Sequence, residues 1–208
     1  MKKTIMKHLL AFLLITSVFV SCTDKKEKEE VNEVEVEVVI ETAKETKAIK
    51  QASIQWKGYK VTGSHNGTIE LKDGNLSFEN DRVVGGQFVV DMTTLGSTDL
   101  EGEWKDKLDG HLKSDDFFGV EAYPTATLEF KDVTSISKNS YEVNGDLTIK
   151  GTTKPIAFTL AIYGSKANAT LKVDRAQYNV RYGSGSFFDN LGDKTVYDEF
   201  DLIVDLEF

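Results

Sequence analysis

Few residues in this sequence have the type and spacing for chemistry. His65 and His111 are the only histidines after His8. A metal centre would therefore need both of them plus carboxylates, and no His-Glu-x-x-His or close His/Cys cluster occurs. Gly183-Ser184-Gly185-Ser186 places serine among glycines, yet it lacks the Gly-x-Ser-x-Gly nucleophile form and no helical pattern follows it. It reads as a flexible turn. No phosphate-cradling glycine loop is present. The expectation is no catalytic constellation, no metal and no cofactor. His111 has two readings, a ring that hydrogen-bonds a helix end or a polar contact for a ligand.

Cys22 remains, the single cysteine of the chain. It cannot form an intramolecular disulfide, and a lone cysteine in an exported protein needs another role. Residues 1–7 carry Lys2, Lys3 and Lys7. An apolar stretch follows from Leu9 to Leu14, and Ile15 to Val20 is broken only by Thr16 and Ser17. That is a basic n-region and a short h-region, below the roughly 20 apolar residues of a spanning helix. Phe19-Val20-Ser21-Cys22 resembles the bacterial lipobox, with phenylalanine where leucine is usual. Residues 1–21 are thus expected to be a lipoprotein signal peptide, and Cys22 the lipid attachment site holding the protein at a membrane.

The formal charge is −9, and removing the leader's three lysines takes it to −12. Such a chain is repelled by phosphate backbones, so nucleic acid is a poor partner. Residues 22–51 are rich in Lys, Glu, Val and Thr, with no aromatic residue and no glycine, and include Val34-Glu35-Val36-Glu37-Val38. They read as a charged flexible tether.

From Ala52 to Phe208 the pattern is period-two alternation between Gly, Asn, Asp and Ser punctuation, which predicts an antiparallel all-β domain. Alternation recurs at Val84, Phe88, Val90 and Met92, at Ala126, Leu128 and Phe130, and at Ile156, Phe158, Leu160 and Ile162. It returns at Ala176, Tyr178 and Val180 and at Phe200, Leu202, Val204 and Leu206. The phase slips at Gly58, predicting a bulge or bend. Leu100, Trp104, Leu108 and Leu112 recur every four residues and predict one helix, capped by Thr98 with Glu101 as a capping box. A second short turn is expected from Ser114, ended by Pro124. The whole suits a barrel closed over a core or a cavity.

Two stretches carry a family resemblance. His111-Leu112-Lys113-Ser114-Asp115-Asp116-Phe117-Phe118 with Tyr123-Pro124, and Gly145-Asp146-Leu147-Thr148-Ile149-Lys150-Gly151-Thr152-Thr153-Lys154-Pro155, are similar to the signature stretches of the YceI-like family. The resemblance implies a lipocalin-like antiparallel β-barrel with one short helical insertion. It also implies binding of polyisoprenoid or other long apolar molecules in the bacterial envelope. The opening Ile54 to Tyr59 and the region from Arg181-Tyr182-Gly183 to Phe188 depart from the family's usual form.

On this reading Trp56, Phe78, Phe88, Trp104, Leu108, Phe130, Phe158, Tyr178 and Phe200 line the apolar interior, with Trp104, Leu108 and Leu112 packing on the sheet or lidding a cavity. His111, Lys154 and Arg181 are candidates for the ligand's head group, Arg181 because it points away from Tyr178, Val180 and Tyr182. The expected function is membrane-tethered, non-enzymatic binding of an isoprenoid-like or lipidic molecule, lipid-anchored in the cell envelope at the outer membrane, on its periplasmic or external face. A homodimer is left open. The competitors are an integral outer-membrane barrel, favoured by the terminal Phe200-x-Leu202-x-Val204-x-Leu206-x-Phe208, and an isoprenoid- or lipid-modifying enzyme needing a polar pair inside the barrel.

Overall fold

The computed structural model describes residues 43–208. The expected signal peptide, Cys22 and nearly all of the expected tether, with its Val/Glu alternation, lie outside the described residues. Nine strands follow one another: β1 (Glu45–Ala48), β2 (Gln51–Lys60), β3 (Gly63–Glu79), β4 (Arg82–Ser97), β5 (Thr125–Ser137), β6 (Ser140–Ile149), β7 (Thr152–Tyr163), β8 (Lys166–Asp174) and β9 (Val196–Glu207). One helix, α1 (Gly102–Lys113), stands between β4 and β5.

Every strand from β2 to β9 pairs antiparallel with its sequence neighbours, and β9 returns to β2, Val204 opposite Ile54. The result is an eight-stranded up-and-down barrel without a free edge, as the alternation predicted. β1 lies beside the C-terminal half of β3, Glu45 opposite Phe78. The sheet thus begins ahead of the expected domain start at Ala52.

Inward and outward positions separate as the period of two demands. Ile54, Trp56, Ile69, Phe88, Met92, Phe130, Phe158, Leu160, Leu171 and Leu206 are buried. Lys57, Glu70, Lys72, Glu129, Glu142 and Asp205 are exposed on the outer wall. The slip at Gly58 is real, for the β2–β9 register shifts between Gly58 and Lys60. A second shift between Ser77 and Phe78 turns Val83 inward, 3% exposed, and leaves Val84 outside at 38%. Ser77 and Phe78 face Gly85 and Val83, so Val84 is the extra residue of a bulge on β4 itself, and an unbroken alternation carried through it placed Val84 inside.

The barrel has two unlike ends. Leu76, Phe78, Val83, Tyr141, Val143, Ala167 and Phe208 are all buried at the end that carries the β3–β4, β5–β6 and β7–β8 turns. Phe78 and Phe208 stack there with ring centroids 5.3 Å apart. That end is solid. At the opposite end lie α1, the loop before β5 and the segment between β8 and β9.

The helix exists, but its cap differs from expectation. Glu101 is the N-cap and makes no side-chain cap bond, while the Thr98 hydroxyl donates to the Asn66 carbonyl. Asp109 ties the helix down instead, accepting from the Ser97 N–H at 2.7 Å and from Lys105 Nζ at 2.6 Å. Burial of Asp109 would raise its carboxyl, but the bonds from Lys105 and Ser97 outweigh that and hold it below the ordinary range. After α1 the short turn expected from Ser114 is present, with Phe117 N–H donating to Ser114 O.

Tyr178 is not on a strand. Arg175–Tyr178 is a 3-10 turn, started by Asp174, whose carboxylate accepts from Ala176 N–H at 2.9 Å, and ended by Asn179 at φ 60°. Ala176, Tyr178 and Val180 alternate as a strand would, but the Asx cap and the left-handed asparagine decide the local backbone.

Candidate ligand-binding cavity

An apolar cavity of about 490 Å³ opens at the α1 end and runs into the barrel, within the usual size of small-molecule sites. Of the expected lining, Trp56, Phe88, Leu108, Phe130, Phe158 and Phe200 face it. Ile69, Leu71, Met92, Leu95 and Leu147 join them, and the strand parity alone could have found these. Trp56 satisfies its polar handle by donating from Nε1 to Gly96 O at 3.2 Å.

Three expected lining residues do not face the cavity. Phe78 is buried, but in the solid end against Phe208. Tyr178 is buried under the 3-10 turn, where burial pushes its hydroxyl up to about 12. Trp104 is 72% exposed, with Lys107 Nζ 5.1 Å from its ring centroid. A spacing of four residues drifts about 40° per step on a helix of 3.6 per turn. Leu112 is therefore buried, Leu108 half-buried, and Trp104, two steps away, turned to solvent. It forms no lid.

The mouth is polar. His111 lies on the last turn of α1 with its ring edge against Tyr182 at 4.3 Å and Phe117 at 5.7 Å. The helix end is closed without the imidazole, by the Ser114 hydroxyl donating to His111 O at 2.7 Å. The ring lines the cavity, and its Nε2 is buried with no hydrogen-bond partner among the described residues. Such a nitrogen is a hydrogen-bonding group that the described residues leave unmet.

Arg175 is the residue that sequence reasoning underweighted. It is 2% exposed, lines the cavity mouth, and donates to Tyr197 O at 3.1 Å, Val180 O at 2.9 Å and Val196 O at 2.9 Å. Asp198 faces it at 3.4 Å, and Phe117 lies under the guanidinium at 5.3 Å. Burial lowers its pKa, partly opposed by Asp198 and Asp174. Its donors are used on the protein's own carbonyls, so it is a clamp on the mouth.

The other two head-group candidates stand apart from the cavity. Lys154 is half-buried within β7, opposite Leu147, and not in the turn of its motif. The turn residue is Lys150 at φ 50°, whose Nζ donates to Asp115 O and Phe117 O, both at 2.8 Å, and so ties the loop before β5 to the barrel. Arg181 is exposed, donates to Asn179 and lies over Phe187. It lines a shallower groove beside the mouth, with Tyr182 and Lys194 shared between groove and cavity. Gly183 to Ser186 is a turn, and Ser184 within it is fully buried. Among the described residues no group of three His, Cys, Asp or Glu side chains could hold a metal ion.

A closed antiparallel barrel with one short helix and a single-mouthed apolar cavity defines a lipocalin-like architecture. Residues 46–208 match the model of the YceI-like domain, and the chain belongs to that family. A UPF0312 protein of Pseudomonas putida is 32% identical over 119 residues, covering 55% of this chain and 58% of the relative. One of Vibrio cholerae is 32% identical over 115 residues, 55% of this chain and 59% of the relative. The chain thus spans under two thirds of the length of the curated relatives it matches. Among solved structures, BcnA of Burkholderia cenocepacia superposes with a TM-score of 0.60 at 20% identity, over 74% of this chain and 94% of that one. A polyisoprenoid binding domain from Saccharophagus degradans gives 0.51 at 14% identity, over 80% and 98%.

Proposed function

We propose that this protein sequesters or carries a long apolar, isoprenoid-like or lipidic molecule, with the chain in the barrel and the polar head at the mouth. The observation that carries this reading is the apolar cavity, blind at one end, whose mouth is lined by polar side chains, among them His111, Tyr182 and Lys194. Apolar burial at about 0.8 kcal/mol per methylene supplies affinity, and the imidazole orients the head. The polyisoprenoid binding described for the Saccharophagus domain is consistent with this ligand class. No enzyme step is part of the proposal, which needs only apolar burial and a polar mouth. The outer wall argues against an integral membrane barrel, since Lys57, Asp201 and Lys172 meet mid-strand where a lipid-facing band would be apolar.

The attachment at Cys22 and an outer-membrane location complete the proposal. They rest on the leader sequence. Cys22→Ser should release the protein from the membrane fraction while its circular dichroism is unchanged, and a serine variant that still pellets would refute the anchor. For the ligand, the protein purified from its own envelope should yield a lipid on organic extraction. His111→Leu should lower lipid recovery about fivefold, the worth of one hydrogen bond. Arg181→Ala, in the outer groove, should lower it less, and Lys166→Ala, at the solid end, not at all. Recovery of no lipid from any preparation would refute the reading.

A further inference from the structure

We infer that the floor of the barrel, built around Phe88, Phe130 and Phe158, is a ruler that limits an extended ligand chain to about four to five isoprene units; this rests on the binding reading above. Counted from the mouth, the cavity reaches Phe88 on β4, Phe130 on β5, Leu160 just past Phe158 on β7, and Leu206 on β9. The next inward residues toward the other end, Leu76, Val83 and Val143, are 0–3% exposed and do not touch the cavity. Phe130 packs against Phe88 at 5.4 Å and Phe158 at 5.7 Å between ring centroids. Behind them a Cβ built on Gly86 would meet both the Phe130 and the Phe88 ring at 3.0 Å, so the rings already fill the space up to the backbone.

The magnitude follows from the depth. Along β9 the lining runs from Val196 to Leu206, which at about 3.3 Å per residue and a tilt near 40° gives a depth of roughly 25 Å. An extended carbon chain of about 20 atoms has that length, at bonds of roughly 1.5 Å. Each isoprene unit adds four chain atoms and one branch methyl, so the depth corresponds to about four to five units. A geranylgeranyl chain spans most of it, whereas an extended chain twice as long would leave its head displaced from His111.

The test uses the full-length chain with geraniol, farnesol, geranylgeraniol and solanesol, measured by native mass spectrometry and competition. Affinity should rise at least about tenfold per added unit up to geranylgeraniol, because each carbon buried contributes, and then level off within about twofold at solanesol. Phe130→Ala should lengthen the preferred chain by about one unit. Ala169→Phe, which fills the deep wall from β8, should shorten it, so that the inference survives a folding failure of either variant. Affinity that keeps rising to solanesol, or a preference unmoved in whichever folded variant is obtained, would overturn the ruler alone. Absence of binding by every alcohol would overturn the ruler and the binding reading together.

Discussion

Replacing Arg175 by methionine tests whether the mouth is held by one buried cation. The guanidinium is 2% exposed and serves three backbone carbonyls, those of Val180, Val196 and Tyr197. Methionine retains most of the volume but none of the donors. The three carbonyls lose their partner, and the Asp198 carboxylate, 3.4 Å away, loses its counter-charge. Breaking a buried pair from one side typically costs about 3–5 kcal/mol, more than the summed net worth of three neutral hydrogen bonds at about 1 kcal/mol each would suggest. At about 2–4 °C per kcal/mol for a domain of this size, the melting temperature should fall by roughly 10–15 °C. The double variant Arg175→Met with Asp198→Asn should recover part of the loss, since the orphaned charge is gone. Exposed Arg181→Ala should stay within about 0.5 kcal/mol of the parent. Urea titrations followed by tryptophan fluorescence give each value. An Arg175→Met variant within about 1 kcal/mol of the parent would refute the clamp and show that water replaces the guanidinium at those carbonyls.

Burial raises Tyr178 from 10.0 to about 12. Its contribution is complete below the unfolded value and lost as pH climbs through the folded one, so the parent should lose about 2 kcal/mol between those values while Tyr178→Phe should not; parallel alkaline titrations decide. Gly67→Ala would put a methyl 1.9 Å from Gly96 O and 2.7 Å from the Trp56 ring, and should cost about 3 kcal/mol by prising β3 from β4, seen as a lower denaturation midpoint. Asp109→Asn should cost about 1–2 kcal/mol through the weakened bonds to Ser97 and Lys105. Because Asp109 titrates below the ordinary carboxylate range, the parent's advantage should persist above that range and vanish as pH falls through the lowered value, read from acid melting curves.

The sequence by itself determined an antiparallel all-β domain. Alternation, interrupted at Gly58 in β2, leaves the strands with one apolar face to bury, and the resemblance of the two motif stretches pointed to closure into a barrel. The sequence also determined the place of the helix and much of the cavity wall, because inward parity at Trp56, Phe88, Phe130, Phe158 and Phe200 is a local property. The tertiary structure alone decided which buried residues line space and which fill it. Phe78 and Phe88 look alike in the sequence, yet Phe78 meets Phe208 at the solid end, and only the register of distant strands sets that depth. Helix geometry turns Trp104 away from the Leu112 face, and the docking of α1 on β4 through Asp109 decided that the Leu112 face is the one buried. The cations show the same limit. Arg175 and Arg181 are six residues apart in a polar stretch, and a chain pattern cannot say that the carbonyls of Val196 and Tyr197, from the other side of a long loop, converge on the first and leave the second in solvent. Hydrogen-bond satisfaction is a sum over partners from the whole fold, so it becomes legible only when the fold is closed.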